Sequence, residues 1–167
     1  ILEIGTGCGI IALICAKKGA NVVCSDINPF AVECTTNNYE KNQDLIKGFF
    51  EIRLGNLFSV IDTNEKFDLI IFNPPYLPTK KEDKLGGSGW FDIATDGGKD
   101  GLKITKEFVK DVRKFLNNKG RAYFILSSLS NKTKFDVFLN KNKIKFEVLN
   151  CINYDDENLY VYKILKN

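Results

Sequence analysis

The run Phe67-Asp68-Leu69-Ile70-Ile71-Phe72 is apolar at all but one position and stops at once in Asn73-Pro74-Pro75-Tyr76. Such a run suits an interior strand of a parallel sheet, covered on both faces. Two prolines forbid its continuation, because each lacks the N–H that the ladder needs and each fixes φ. Pro74 also holds Asn73 in extended geometry. Asn73 is therefore expected at the carboxyl end of a buried strand, where open α/β sheets bind ligands.

The atoms of the tetrapeptide define what that rim can hold. Asn73 offers a side-chain carbonyl, Pro74 a main-chain carbonyl that no helix or ladder consumes, and Tyr76 an aromatic face. Two acceptors aimed at a planar –NH2 group orient an amide or exocyclic amine and favour its more nucleophilic form, while the ring stacks on the plane. Read as plain structure, the same residues are a strand terminator with a turn-forming Asn.

Upstream and downstream, strand and helix signals alternate. Ile1 to Ile4 forms a first strand, then the Gly5-Thr6-Gly7-Cys8-Gly9 turn, then an apolar helix from about Ile10 to Lys18 closed by Gly19. Asn21 to Ser25 is a second strand, followed by a helix with Asn28 as N-cap and Pro29 in its first turn. Phe49 to Leu54 is the third strand and the Phe67 run the fourth. A helix over Gly101 to Asn118, a strand over Gly120 to Ser128, a helix over Asn131 to Asn140, and strands over Ile144 to Asn153 and Leu159 to Leu165 complete the order. The Asp155-Asp156-Glu157-Asn158 turn makes the last two strands an antiparallel hairpin. The expected fold class is α/β: a doubly wound, mostly parallel seven-stranded sheet with an antiparallel strand near one edge.

No linker or repeat divides the 167 residues, so 1–167 reads as one domain. The chain opens inside a strand and holds no Met, and an N-terminal part is expected to be missing. No segment is long and apolar enough to span a membrane. A net charge of +3 neither demands nor excludes nucleic acid. Five cysteines without a C-x-x-C pair and without a secretory signal point to reduced thiols in a cytoplasmic setting and to no metal site. The absence of His removes Ser–His triads and imidazole acid–base chemistry.

The glycine turn lets a ligand approach the backbone, and the helix N-terminus behind it favours negative groups. A dinucleotide fingerprint places its third glycine one residue later, at Ile10. Glu3, just ahead of the turn, suits an amine-bearing ligand, or else satisfies the turn's own N–H groups. Asp26 stands where a carboxylate accepts both hydroxyls of a ribose, with Ile27 beside it. Asn56, followed by Leu57, ends the third strand and can read an adenine edge. Taken singly, Asp26 and Asn56 are equally good Asx-turn residues. Thr79 to Asp100 lacks periodicity and reads equally as simple disorder or as a lid hinged on Gly86, Gly87 and Gly89, with Trp90 or Phe91 packing on substrate. The lysines at 132, 134, 141, 143 and 145 read as a solvated face.

Glu3-Ile4-Gly5-Thr6-Gly7-Cys8-Gly9, Asp26, Gly55-Asn56-Leu57-Phe58 and Asn73-Pro74-Pro75-Tyr76 resemble motifs of class I S-adenosylmethionine-dependent methyltransferases. Asn-Pro-Pro-Tyr with Leu77-Pro78, and Asp96-Gly97-Gly98-Lys99-Asp100-Gly101-Leu102 opening the next helix, are similar to the HemK/PrmC family. That family methylates the side-chain nitrogen of a glutamine in translation release factors. The resemblance extends over nearly the whole chain and implies the shorter archaeal and eukaryotic type. It implies S-adenosyl-L-methionine as cofactor, held by Glu3, Gly5, Thr6, Gly7, Cys8, Gly9, Asp26, Ile27, Asn56, Leu57 and Asn73. Asn73, Pro74, Pro75 and Tyr76 would hold the acceptor, a release factor with a Gly-Gly-Gln loop. Asn56 departs from the Asp that many relatives carry. The same motif also serves enzymes acting on adenine N6 or guanine N2, so an RNA or DNA base is the alternative acceptor, and a non-catalytic nucleotide-binding Rossmann module is the third reading. Some shorter relatives work with a small zinc-binding activator subunit.

Overall fold

The computed structural model describes residues 1–80 and 89–166. Gly86 and Gly87, two of the expected hinges, lie outside them. Seven strands form one sheet in the order β3-β2-β1-β4-β5-β7-β6: β1 (Leu2–Ile4), β2 (Val22–Asp26), β3 (Phe50–Leu54), β4 (Phe67–Phe72), β5 (Leu116–Ser127), β6 (Phe146–Tyr154) and β7 (Glu157–Leu165). β7 runs antiparallel to β5 and to β6, and all other pairs are parallel. The expected fold class is the observed one.

Helices α1 (Ile10–Lys17), α2 (Pro29–Glu40), α3 (Trp90–Thr95), α4 (Lys103–Asp111) and α5 (Lys132–Lys141) join the strands. Asn28 caps α2 by accepting from the Phe30 N–H at 2.9 Å, with Pro29 in the first turn. Asn131 caps α5 in the same manner through the Lys134 N–H.

Three boundaries differ from expectation. The helix read over 101–118 is α4 followed by a 3-10 turn at Val112–Phe115, and β5 begins at Leu116, before Gly120. A register shift after Phe67 lets Leu116 pair with it across polar residues that resemble a helix end. The hairpin turn is shorter than read, because Tyr154 pairs with Glu157 and Asn153 with Asn158. The stretch 79–100, read as aperiodic, contains α3, whose six residues are too few to show a period.

One face of the sheet is filled by aromatic rings. Phe124 stacks on Tyr162 at 5.2 Å between centroids and meets Phe108 and Phe135 edge-on at 5.8 Å each. The Tyr162 hydroxyl donates to Asp136 at 2.6 Å, so the buried phenol is satisfied. Burial and the Asp136 carboxylate push its pKa upward. Phe124→Ala leaves a void that four elements line and cannot collapse, and should cost about 3–5 kcal/mol. Urea unfolding followed by circular dichroism checks this; a loss below about 1 kcal/mol would contradict the packing.

Candidate active site

The sheet order steps outward from β1 to β2 and β3, then returns to β4 on the other side of β1. This reversal opens a crevice at the carboxyl ends of the strands. Parallel pairing sets Ile4 beside Phe72, so the next residues, Gly5 and Asn73, leave the sheet as neighbours. Gly5 has φ 67°, and a Cβ there would meet the Phe72 ring at 3.3 Å. Gly9, at φ 81°, caps α1, and a Cβ there would strike Thr35 at 2.7 Å. Side chains at these positions would push the turn off both β4 and α2.

Glu3 holds the turn from beneath. It is 4% exposed, and its Oε2 accepts from the Thr6 hydroxyl at 2.7 Å and the Ala12 N–H at 3.0 Å. The ligand-facing role open to it from sequence is not what the structure displays: its carboxylate serves the turn and the start of α1 and does not line the crevice. Thr6 is likewise buried, its N–H donating to the Ser25 carbonyl. Asp26 faces the other way. One of its oxygens accepts from the Gly7 N–H and the other from the Asn28 N–H, both at 2.9 Å. Each oxygen retains capacity for a further donor, and Asp26 lines the crevice.

Asn56 and Leu57 are set by the turn after β3. Gly55 donates to the Asp26 carbonyl at 2.8 Å, and the Asn56 N–H donates to Ser59 Oγ at 3.1 Å. Leu57 sits at φ 48°, a left-handed conformation that a bulky side chain adopts only when held there. Arg53 braces the segment that follows, with both nitrogens of its fork on Glu65 at 2.7 and 2.9 Å and a further bond to the Val60 carbonyl at 3.0 Å. The Glu65 carboxylate, with that of Glu51 on the other edge of the guanidinium, lifts the Arg53 pKa, and the Arg53 guanidinium in turn depresses that of Glu65.

The resulting cavity has a volume of about 360 Å³. Gly5, Gly7, Asp26, Ile27, Asn56, Leu57, Asn73 and Pro75 line it among the residues singled out from sequence. Glu3, Thr6, Cys8, Gly9, Pro74 and Tyr76 lie behind or beside it. Pro74 is buried and Tyr76 half-buried, with desolvation raising the Tyr76 phenol pKa. The Asn73 side chain is exposed at the rim. Sequence reasoning missed Ile4, Asn28, Ala31, Gly55, Phe72, Ile93, Ala94 and Ile104 of the lining. Of the two aromatic candidates on the lid, Trp90 lines the cavity and Phe91 points outward, 61% exposed.

The chain beyond the motif is clasped. Leu77 bonds to the Thr95 carbonyl and the Gly97 N–H at 3.2 and 2.9 Å, and the Thr79 N–H donates to Gly98 at 3.1 Å. Ser130, 2% exposed on the loop after β5, donates to the Tyr76 carbonyl at 2.6 Å. No local pattern announces Ser130, which reaches the motif across 54 positions.

A doubly wound sheet with a glycine turn on β1, a carboxylate ending β2 and Asn-Pro-Pro-Tyr ending β4 defines an S-adenosylmethionine-dependent methyltransferase. The chain belongs to the methyltransferase small domain family, whose profile matches residues 1–87. It is 40% identical over 164 residues to a Methanocaldococcus jannaschii protein provisionally named a protein N5-glutamine methyltransferase, covering 92% of this chain and 79% of that one. It is 32% identical over 128 residues to a release factor glutamine methyltransferase of Streptococcus pneumoniae, of whose length it spans 44%. The fold is similar to that in the E. cuniculi Mtq2–Trm112 complex, with TM-score 0.71 and 21% identity over 99% of this chain and 84% of that one. Among the described residues no helix is long and apolar enough to cross a membrane.

Burial holds the Glu3 carboxyl above its ordinary value of 4.5, opposed in part by the Thr6 and Ala12 bonds. A folded pKa above the unfolded one means that the folded state keeps the proton longer. Glu3 therefore makes stability fall as pH rises from the unfolded value through the raised folded value, with a constant penalty beyond it. Glu3→Gln should abolish that part of the slope, checked by urea unfolding at a series of pH values from about 4 to about 7. Identical slopes in both proteins would contradict the assignment.

Proposed function

We propose that this chain methylates the side-chain amide nitrogen of a glutamine in a polypeptide, a translation release factor with a Gly-Gly-Gln loop being the preferred acceptor. The carrying observation is the Asn73 amide, held at the carboxyl end of β4 with no side-chain hydrogen-bond partner among the described residues, in the cavity that Asp26 and Asn56 also line. The names of the archaeal and Streptococcus relatives support glutamine as the acceptor.

The cavity fits S-adenosylmethionine. Gly5 and Gly7 leave backbone room, Asp26 keeps lone pairs for ribose hydroxyls, and Asn56, Ile27 and Leu57 offer a polar edge and apolar walls for adenine. When bound, the cofactor supplies an electrophilic methyl group on a sulfonium. Asn73 and the Pro74 carbonyl receive the two N–H bonds of the acceptor amide and aim its nitrogen into the cavity. As positive charge grows on that nitrogen, both acceptors bind its hydrogens more tightly, which favours the transition state over the ground state. Trp90, Ile93 and Ala94 on α3 wall the acceptor side and keep water out. No strong base is called for, which agrees with a chain that has no His.

A small zinc-binding activator belongs to this reading, and so does a cytoplasmic setting, in which the five free thiols stay reduced. The chain, with and without such a subunit, is incubated with labelled S-adenosylmethionine and either release factor or bulk RNA, and the products are read by mass spectrometry. Methyl-glutamine supports the proposal; methylated adenine or guanine with unmodified protein overturns it.

Asn73→Ala should bind S-adenosylhomocysteine with near-normal affinity and transfer methyl on the order of 100-fold more slowly. Calorimetry and single-turnover kinetics separate the two effects. Wild-type turnover would remove Asn73 from the mechanism.

A further inference from the structure

The Asn-Pro-Pro-Tyr segment leaves β4 with few ways to be held. Pro74 and Pro75 have no N–H to give a neighbour and a fixed φ, so only their ψ angles are left to vary. The near end of this stiff arm is set by the sheet, where Phe72 pairs with Ile4 of β1 and with Phe124 of β5. Its far end is the Tyr76 carbonyl, which accepts from Ser130 Oγ at 2.6 Å. Between those two points lie the Asn73 amide and the Pro74 carbonyl. Clamped at both ends, the arm has one aim; released at the far end, it can swing about two ψ angles.

Ser130 has a fixed base from which to hold that end. It is buried, its N–H donates to the Ser127 carbonyl at 3.1 Å, and its carbonyl accepts from the Lys132 N–H at 2.8 Å. Ser128 and Asn158 exchange bonds at 2.8 and 2.9 Å, which fasten the same loop to β7. The Asn131 N–H reaches the Asp100 carbonyl at 3.4 Å, and the Asp100 carboxylate takes Lys134 of α5 at 2.6 Å and Lys106 of α4 at 3.3 Å. Gly101 packs against the Ser130–Tyr76 bond from the other side. At φ 70° it carries no side chain, and a Cβ there would collide with both the Ser130 hydroxyl and the Tyr76 oxygen. Ser130 itself does not line the cavity, so it reaches the reacting atoms only through Tyr76.

We propose that Ser130 is a positioning residue for methyl transfer, whose hydroxyl fixes the Tyr76 carbonyl and thereby aims the Asn73 amide and the Pro74 carbonyl at the acceptor –NH2. The inference rests on the reading above in which those two groups hold the acceptor, and it applies to an amide or a base amine alike. Alignment is what such a site contributes to a direct displacement, and a misplacement of about 1 Å costs on the order of 100-fold. Without the Ser130 hydroxyl the arm loses its far clamp, while the glycine turn, Asp26 and the Gly55–Leu57 turn keep the cofactor side of the cavity in place. The loss therefore falls on the transfer step and spares cofactor binding.

The test compares wild type, Ser130→Ala and Ser130→Cys, each alone and combined with Asn73→Ala, in single-turnover transfer from saturating S-adenosylmethionine. The acceptor is a Gly-Gly-Gln-bearing release-factor domain, or RNA if that is what wild type modifies, a result that overturns the glutamine reading and not the inference. Calorimetry with S-adenosylhomocysteine and thermal unfolding run alongside. Ser130→Ala should slow transfer about tenfold, with S-adenosylhomocysteine affinity unchanged. Ser130→Cys keeps a weaker donor in nearly the same space and should slow it less, and it carries the comparison if the Ala variant does not fold. In the Asn73→Ala background the Ser130 substitutions should cost a smaller factor, because both residues act on one acceptor nitrogen. A merely structural Ser130 would lower the unfolding midpoint and leave the folded variants transferring at the wild-type rate, and that outcome overturns the inference alone. So does an equal cost in both backgrounds, which would place the effect of Ser130 outside the arm. Wild-type turnover in Asn73→Ala overturns the reading of the arm and the inference together.

Discussion

The parallel pairing of β1 with β4 is the constraint on which the site depends. Registering Leu2 with Ile70 and Ile4 with Phe72 makes both strands end at one level, so the glycine turn and the Asn-Pro-Pro-Tyr segment leave the sheet side by side. Neither segment forms a site by itself. A glycine turn alone is a general nucleotide cradle, and a proline pair alone is a strand terminator. Their adjacency at the switch point makes a crevice in which a methyl donor and an –NH2 acceptor can meet in line.

The surroundings keep that rim rigid from several directions. Glu3 spends its buried carboxylate on the turn, Arg53 grips the loop that presents Asn56, and Ser130 pins the far end of the motif. Alignment is the main contribution such a site can make to a direct methyl transfer, so the supporting bonds matter as much as the groups that line the cavity. Asn73 is exposed at this rim, whereas Asp26 lines the crevice while also closing the turn.

Much of this was legible in the sequence because each strand ends in a residue with its own local signature. Pro-Pro after an apolar run fixed Asn73, Asn-Pro announced the start of α2, and glycines at alternate positions marked the turn. The uncertain residues were those whose roles depend on distant partners. Glu3 was equally compatible with a ligand and with the turn's N–H groups, and the partners it finds are the Thr6 hydroxyl and the Ala12 N–H of α1. Helix α3 was too short to show a period, although Trp90 within it was picked out as an aromatic packing on substrate. Ser130 and the Arg53 network left no local trace, since their partners lie across the fold or at irregular spacing.

The account stands or falls on where the donor lies. A crystal structure with S-adenosylhomocysteine should show it filling the crevice between Gly5, Asp26 and Asn56, its sulfur turned toward Asn73. Density for the ligand elsewhere, or a sulfur turned away from the end of β4, would contradict the account.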